Sequence, residues 1–172
     1  MQERYQFRTA TAEEVQEVFD LIMRRVAWMD RVGIRQWNTT KYDQRYPLHY
    51  YEKRRQQEEL FVLEDTEKKK ILCVGALFHE DERWPEAASA RYLHHFASDV
   101  DAMGTGDLFL QEAERYAAAQ GAAYMRLDSA VGNAKLEHYY ASRGYIEAGR
   151  CEDGLYQGIL RQKRLADSLV CR

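Results

Sequence analysis

Apolar residues recur along the chain with two different periods, and the switches between them divide it into elements. Tyr5-Gln-Phe-Arg alternates like a short strand. Thr11-Ala-Glu-Glu14 then reads as a capping box, in which hydroxyl and carboxylate satisfy the first helical N–H groups reciprocally. Val15, Val18, Phe19, Ile22, Val26 and Met29 follow at helical spacing, which predicts one buried face, and Gly33 is the predicted stop. The stretch from Gly33 to Gln57 is rich in aromatics (Trp37, Tyr42, Tyr46, Tyr50, Tyr51) and turns into a charged helix, Glu52-Lys-Arg-Arg-Gln-Gln-Glu-Glu. Its charges read as a solvated face. The aromatics either fill core or line a pocket for an organic acceptor.

Leu60–Leu63 and Ile71–Phe78 read as two strands joined by the polar hairpin loop Glu64–Lys70. A second polar link, Glu80 to Ser89, leads to the strand Arg91–Ala97. After the loop Ser98–Met103, Gly104-Thr-Gly106 opens a helix running to Gln120, with Phe109, Ala113, Tyr116 and Ala117 as its apolar face. Gly121 closes it, and Tyr124–Asp128 is the next strand. Asn133 caps a short helix whose inward residues are Leu136, Tyr139 or Tyr140, and Arg143, and Gly144 ends it in the left-handed conformation. Tyr145–Ala148 and Leu155–Leu160 are the closing strands. The order predicts one α+β domain over residues 1–172, with a short tail at 164–172. Its sheet is mixed and mostly antiparallel, with a parallel step near Gly104.

At 172 residues the chain is long enough to bury roughly 70% of its unfolded surface without disulfide or metal staples. Its 28 acidic and 25 basic residues leave a net charge of −3, which argues against a nucleic-acid binder. Cys73, Cys151 and Cys171 are far apart and form no C-x-x-C pair, so reduced thiols and no metal are expected. The first residues lack a signal-peptide pattern, and the most apolar run, Ile71–Phe78, is far too short to span a membrane. A cytoplasmic protein with no membrane partner is the expectation.

Gly104-Thr-Gly106 between a strand and a helix suits a phosphate-bearing ligand, because glycine lets backbone approach the anion and the first helical N–H groups point at it. Taken alone the motif is weak; no Gly-Lys-Ser/Thr follows, and a third glycine is missing. Asn133-Ala-Lys-Leu-Glu-His-Tyr-Tyr-Ala-Ser-Arg-Gly-Tyr145 adds to it. The spacing of Asn133, Tyr140, Gly144 and Tyr145 resembles the late motif of the GNAT superfamily of acyl-CoA N-acyltransferases. Gly104-Thr-Gly106 with its helix is similar to that family's acyl-CoA-binding motif, and Gln36-Trp37 with Tyr46-Pro47 to a subgroup of small bacterial members. The likeness covers nearly the whole chain.

The resemblance implies a sheet of about six or seven strands, splayed at its centre and flanked by about four helices. It implies transfer of an acetyl group from acetyl-CoA to a primary amine by direct attack. The N–H groups of Met103, Gly104, Thr105 and Gly106 would hold the pyrophosphate, and the backbone of Phe96, Ala97 and Ser98 would pair with pantetheine. One of those strand N–H groups would also polarise the thioester carbonyl. Tyr140 matches the tyrosine that protonates the departing thiolate, and Asn133 is either a simple helix cap or a cap that also touches the pantetheine arm. Relatives commonly form homodimers. His94 is the candidate base for the amine, with Asp128 and Glu80 as weaker substitutes, and alternation along the strand turns His95 to the opposite face. Trp37, Tyr42 and Tyr46 are candidates for stacking an acceptor, a small molecule or peptide amine. Asp99, Asp101 and Asp107 bracket the glycine loop, and their charge works against a bound anion. That keeps a second reading open, a ligand-binding or sensing module without catalysis.

Overall fold

The computed structural model describes residues 3–166. Seven strands form one sheet: β1 (Tyr5–Thr9), β2 (Leu60–Asp65), β3 (Lys70–Phe78), β4 (Ala90–Ser98), β5 (Tyr124–Ala130), β6 (Ile146–Asp153) and β7 (Tyr156–Arg164). Their order is β1-β2-β3-β4-β5-β7-β6, and every neighbouring pair is antiparallel except β4 and β5. The connection between those two strands is α4 (Thr105–Ala119), the crossover a parallel step requires.

The remaining helices are α1 (Val15–Val32), α2 (Tyr42–Arg45), α3 (Leu48–Gln56) and α5 (Ala134–Ala141). Thr11 and Glu14 form the expected capping box, with the Glu14 carboxylate accepting from the Thr11 N–H at 2.9 Å. Gly33 ends α1 at φ 73°, a conformation in which a side chain is strained. Val18, Leu21 and Ile22 of α1 and Tyr51 of α3 pack on one sheet face with Val62 and Val74. Phe109, Leu110 and Ala113 of α4 and Tyr140 of α5 cover the other face with Leu77, Leu93 and Leu127. The sheet is thus buried on both faces, which is why β2 and β3 read as unbroken apolar runs rather than alternating ones.

Several boundaries differ from the sequence reading; β6, for one, runs to Asp153 rather than Ala148. The charged helix starts earlier, at Leu48 after Pro47, and ends at Gln56, because Glu58 turns left-handed (φ 57°) and feeds β2. The last strand runs through Arg164, and Leu165 is buried with its N–H bonded to the Ala123 carbonyl, so the predicted tail starts too early. Residues 167–172, including Cys171, lie outside the described residues; Cys73 and Cys151 are buried free thiols. Among the described residues no helix is long and apolar enough to cross a membrane.

Candidate active site

β4 and β5 pair only over three residues, Ala90–Tyr92 against Tyr124–Arg126, and then diverge. The wedge between them opens into a cavity of about 410 Å³ that reaches from α1 and α2 on one side to the start of α4 and α5 on the other. His94, Phe96, Ala97 and Ser98 line it from β4, and Leu127 and Asp128 from β5.

A bulge interrupts β4 inside this wedge. Val74 faces Ala97 and Ala76 faces His94, so Gly75 alone opposes His95 and Phe96. His95 absorbs the extra residue with a left-handed φ of 54°. Gly75 is needed opposite it, since a Cβ there would lie 2.8 Å from the Phe109 ring. The bulge defeats the expected alternation. His95 does not turn away from His94; both line the cavity, with ring centroids 6.1 Å apart.

The two histidines sit in different chemistry. His95 is buried, with the Tyr42 hydroxyl on Nδ1 and the Tyr50 hydroxyl 2.9 Å from Nε2. Burial, then the nearby His94 and the Arg83 and Arg54 cations, push its pKa well below the usual range, so it is neutral and one tyrosine donates while the other accepts. His94 stacks on Phe78 and places Nε2 2.8 Å from Asp81 Oδ2. Burial opposes the Asp81 charge, but the bond to His94 and the Arg83 cation hold its carboxyl below the ordinary range. An ionised Asp81 can only accept, so Nε2 of His94 donates to it, and Nδ1 is the ring nitrogen turned toward Asp128. That nitrogen lies 4.0 Å from Asp128 Oδ2, too long for a hydrogen bond.

Asp128 is itself fixed, accepting from the Tyr156 hydroxyl at 2.6 Å and from Arg83 at 3.1 Å. Arg83 also reaches Asp153 at 2.8 Å, which pairs with Arg45 at 2.6 Å. Ligand atoms of Asp81, His94 and Asp128 lie within 4.8 Å of one another, although Arg83 and Tyr156 already use both Asp128 oxygens. Sequence reasoning missed Asp81, Arg83, Asp153 and Tyr156. The first two lie in the link read as merely polar, and Trp84 anchors that link by packing in the core. Glu80, an alternative base, is exposed and does not line the cavity.

At the opposite end, Gly104 caps α4 at φ 85°, and the first N–H groups of that helix have no carbonyl partner within it. Gly104 and Gly106 line the cavity, and a Cβ on Gly106 would come within 3.5 Å of Phe96 and 3.7 Å of the Tyr139 hydroxyl. Met103 is 96% exposed, and Thr105 directs both its hydroxyl and its N–H to the Ala102 carbonyl; neither residue lines the cavity, so of the four predicted phosphate-holding residues only Gly104 and Gly106 do. Two of the three flanking aspartates are paired with cations. Asp99 is buried, accepts from the Asp101 N–H and pairs with Lys70 at 2.9 Å. Asp107 meets Arg143 at 2.6 Å and the Tyr139 hydroxyl at 2.7 Å, and the Arg143 bond lowers its pKa. Asp101 is exposed.

Asn133 lines the cavity and caps α5 by accepting from the Leu136 N–H at 3.1 Å. Tyr140 is buried and lines the cavity, and its hydroxyl meets no hydrogen-bond partner among the described residues. Burial, with Asp128 nearby, pushes its pKa up, so the phenol stays protonated. Trp37, Tyr42 and Tyr46 line the α1–α2 side, Tyr42 stacked against Trp37 at 4.6 Å and tilted against Tyr46 at 4.9 Å.

No family model matches the chain, and no curated protein matches it significantly. Solved structures do. A GNAT-family acetyltransferase from Listeria monocytogenes shares 20% identity over 94% of this chain and 95% of its own, with a TM-score of 0.75. The PaiA N-acetyltransferase from Thermoplasma acidophilum, in complex with coenzyme A, gives 14% identity, 94% and 99% coverage and a TM-score of 0.71. Spermidine N-acetyltransferase from Vibrio cholerae, in complex with CoA and spermine, gives 15% identity, 94% and 96% coverage and a TM-score of 0.64. At such identities the likeness speaks for architecture, and on that ground the chain has the fold of the GNAT-family acetyltransferases.

Proposed function

We propose that the chain is an acetyl-CoA-dependent N-acetyltransferase acting on a primary amine. The observation that carries this reading is one cavity holding two proton-handling groups of opposite sense: the unpartnered Tyr140 hydroxyl and His94 ordered by Asp81. Residues at the other end fit coenzyme A. The Gly104 turn presents backbone N–H groups, Arg143 neutralises Asp107, and β4, diverging from β5 after Tyr92, leaves a gap for an extended chain.

Acetyl-CoA supplies an activated acyl group, so attack by the amine requires no covalent link to the protein. An alkylamine has a free pKa near about 10.4 and must lose a proton before or as it attacks. His94 Nδ1 takes that proton, directly or through water, and Asp81 stabilises the resulting imidazolium. Tyr140 gives its proton to the departing sulfur, whose thiol pKa of about 8.5 makes the bare thiolate a poorer leaving group. Proton uptake and release thus balance at two side chains. At the His94 end Asp128 is the carboxylate that lines the cavity, held by Arg83, which also pairs with Asp153. Trp37, Tyr42 and Tyr46 form an apolar wall on the α1–α2 side. The spermine held by the Vibrio cholerae neighbour supports an amine as acceptor. The non-catalytic alternative rested on the loop aspartates, and pairing of Asp99 and Asp107 weakens that ground.

Calorimetric titration with acetyl-CoA, desulfo-CoA and ATP, followed by thiol release with a panel of primary amines, tests this reading. Binding of the CoA compounds but not ATP, with amine-dependent thiol release, is the expected result. CoA binding without turnover on any amine would favour the non-catalytic module, and no CoA binding would end the acetyltransferase reading and leave a module for a different ligand in first place.

A further inference from the structure

One cation in the cavity stands apart from the proton-handling groups. Arg25, on the third turn of α1, donates from Nε (3.1 Å) and Nη2 (2.6 Å) to the Ser98 carbonyl and from Nη2 to the Ser98 hydroxyl (2.9 Å). Its guanidinium lies 4.6 Å above the Trp28 ring. Arg45, Arg83 and Arg143, which also line the cavity, are each bonded to a carboxylate, and Lys135 lines it from the start of α5 as an exposed side chain without an ion pair among the described residues. Arg25 has no carboxylate within 4.0 Å and no bond at Nη1 among the described residues, and its neighbour Arg24 takes Asp99 instead. Burial lowers its pKa, against smaller opposing pulls from Cys73 and Asp99.

Its place in the fold says which anion is missing. Ser98 is the last residue of β4, and the next N–H, that of Asp99, is bonded back to Leu72 at 2.8 Å. Strand geometry therefore turns the Ser98 carbonyl away from β3, toward the open wedge, and Arg25 follows it there. The loop from Asp99 to Gly106 contains no basic residue and two acidic ones before the glycines, so its backbone N–H groups meet an anion without any full positive charge of their own. Resting on the reading that the wedge takes CoA, we propose that Arg25 supplies from α1 the positive charge for the CoA diphosphate that the glycine loop lacks.

The test compares wild type with Arg25→Met, which keeps an apolar stem over Trp28, and Arg25→Lys, which keeps the charge. Dissociation constants are measured by calorimetry for CoA, for dephospho-CoA and for S-acetylpantetheine. Loss of one charge-assisted hydrogen bond predicts Kd rising about 10- to 100-fold for CoA and dephospho-CoA in Arg25→Met, with S-acetylpantetheine unchanged, a smaller loss in Arg25→Lys, and a shallower salt dependence. Equal weakening of all three ligands would overturn the proposal, since Arg25 would then act only by holding the end of β4. A loss for CoA but not dephospho-CoA would move the contact to the 3′-phosphate, and unchanged affinities with an altered acceptor KM would move it to the acceptor. Wild type failing to bind CoA would instead refute the underlying reading.

Discussion

Replacing Tyr140 by phenylalanine separates a structural tyrosine from a catalytic one more sharply than any other substitution in this cavity. The ring is buried against Tyr139 and Tyr145, with centroids at 5.2 and 5.6 Å, and phenylalanine keeps those contacts. The hydroxyl bonds to nothing in the described protein, so its removal breaks no hydrogen bond and the melting temperature should stay within about 2 °C of wild type. Tyr156→Phe is the matched control. It loses a 2.6 Å bond to the Asp128 carboxylate, worth about 1.5–3 kcal/mol, and at about 2–4 °C per kcal/mol for a chain of this size it should melt roughly 3–12 °C lower. A general acid contributes about 10²–10⁴ in rate, or roughly 2.7–5.4 kcal/mol of barrier, so Tyr140→Phe should lose that much in single-turnover thiol release. Its affinity for acetyl-CoA should barely move. A single-turnover rate within threefold of wild type, at unchanged melting temperature, would refute Tyr140 as the proton donor.

The other perturbations act through neighbouring parts of the same cavity. Asp81→Asn removes the charge that sets the His94 tautomer, and turnover should fall by about two orders of magnitude with CoA affinity unchanged; a matching loss of CoA affinity would mean the loop, not the base, was disturbed. Gly75→Ala drives a methyl into the Phe109 ring opposite the bulge and should destabilise by about 1–3 kcal/mol, read from urea unfolding. His95 is neutral when folded and titrates near about 6.5 when unfolded. Below that pH the unfolded chain binds a proton the native site refuses, so stability falls by about 1.4 kcal/mol per pH unit, roughly 2 kcal/mol from pH 6.5 to 5. His95→Asn, which tolerates the left-handed backbone, should remove that slope; an unchanged slope would place it on other groups. The carboxyls lowered by ion pairs, Asp81, Asp107 and Asp153, contribute stability above their unfolded pKa of about 3.9 and lose it only at still lower pH.

Periodicity locates nearly every element of this fold because the sheet is covered on both faces and each helix has one buried stripe. The Asn133 cap, the Gly33 and Gly144 stops and the Gly104 turn are legible for the same reason: each is a local backbone requirement met by a local residue. What escapes is nonlocal. Nothing in the run His94-His95-Phe96 announces that Gly75, some twenty residues earlier, will face two residues at once. Asp81 and Arg83 look like solvated loop charges until Asp128 and Asp153 arrive from other strands to neutralise Arg83. Asp107 reads as repulsive toward an anion because its partner, Arg143, is 36 residues away. Charges can be counted in a sequence, but their pairing belongs to the fold.

The parting of β4 from β5 also bears on solubility. Open strand edges normally invite a second chain, and sheets defend them at their rims. Here the unpaired edge lies inside the sheet, between β4 and β5, where residues of α1, α2, α4 and α5 line the gap. Amides along that inner edge should exchange with solvent quickly in the free protein and slow down when an extended ligand lies between the strands. Such a ligand would be held as a substitute strand, and the width of the gap would screen for chain thickness before any side chain inspected its chemistry.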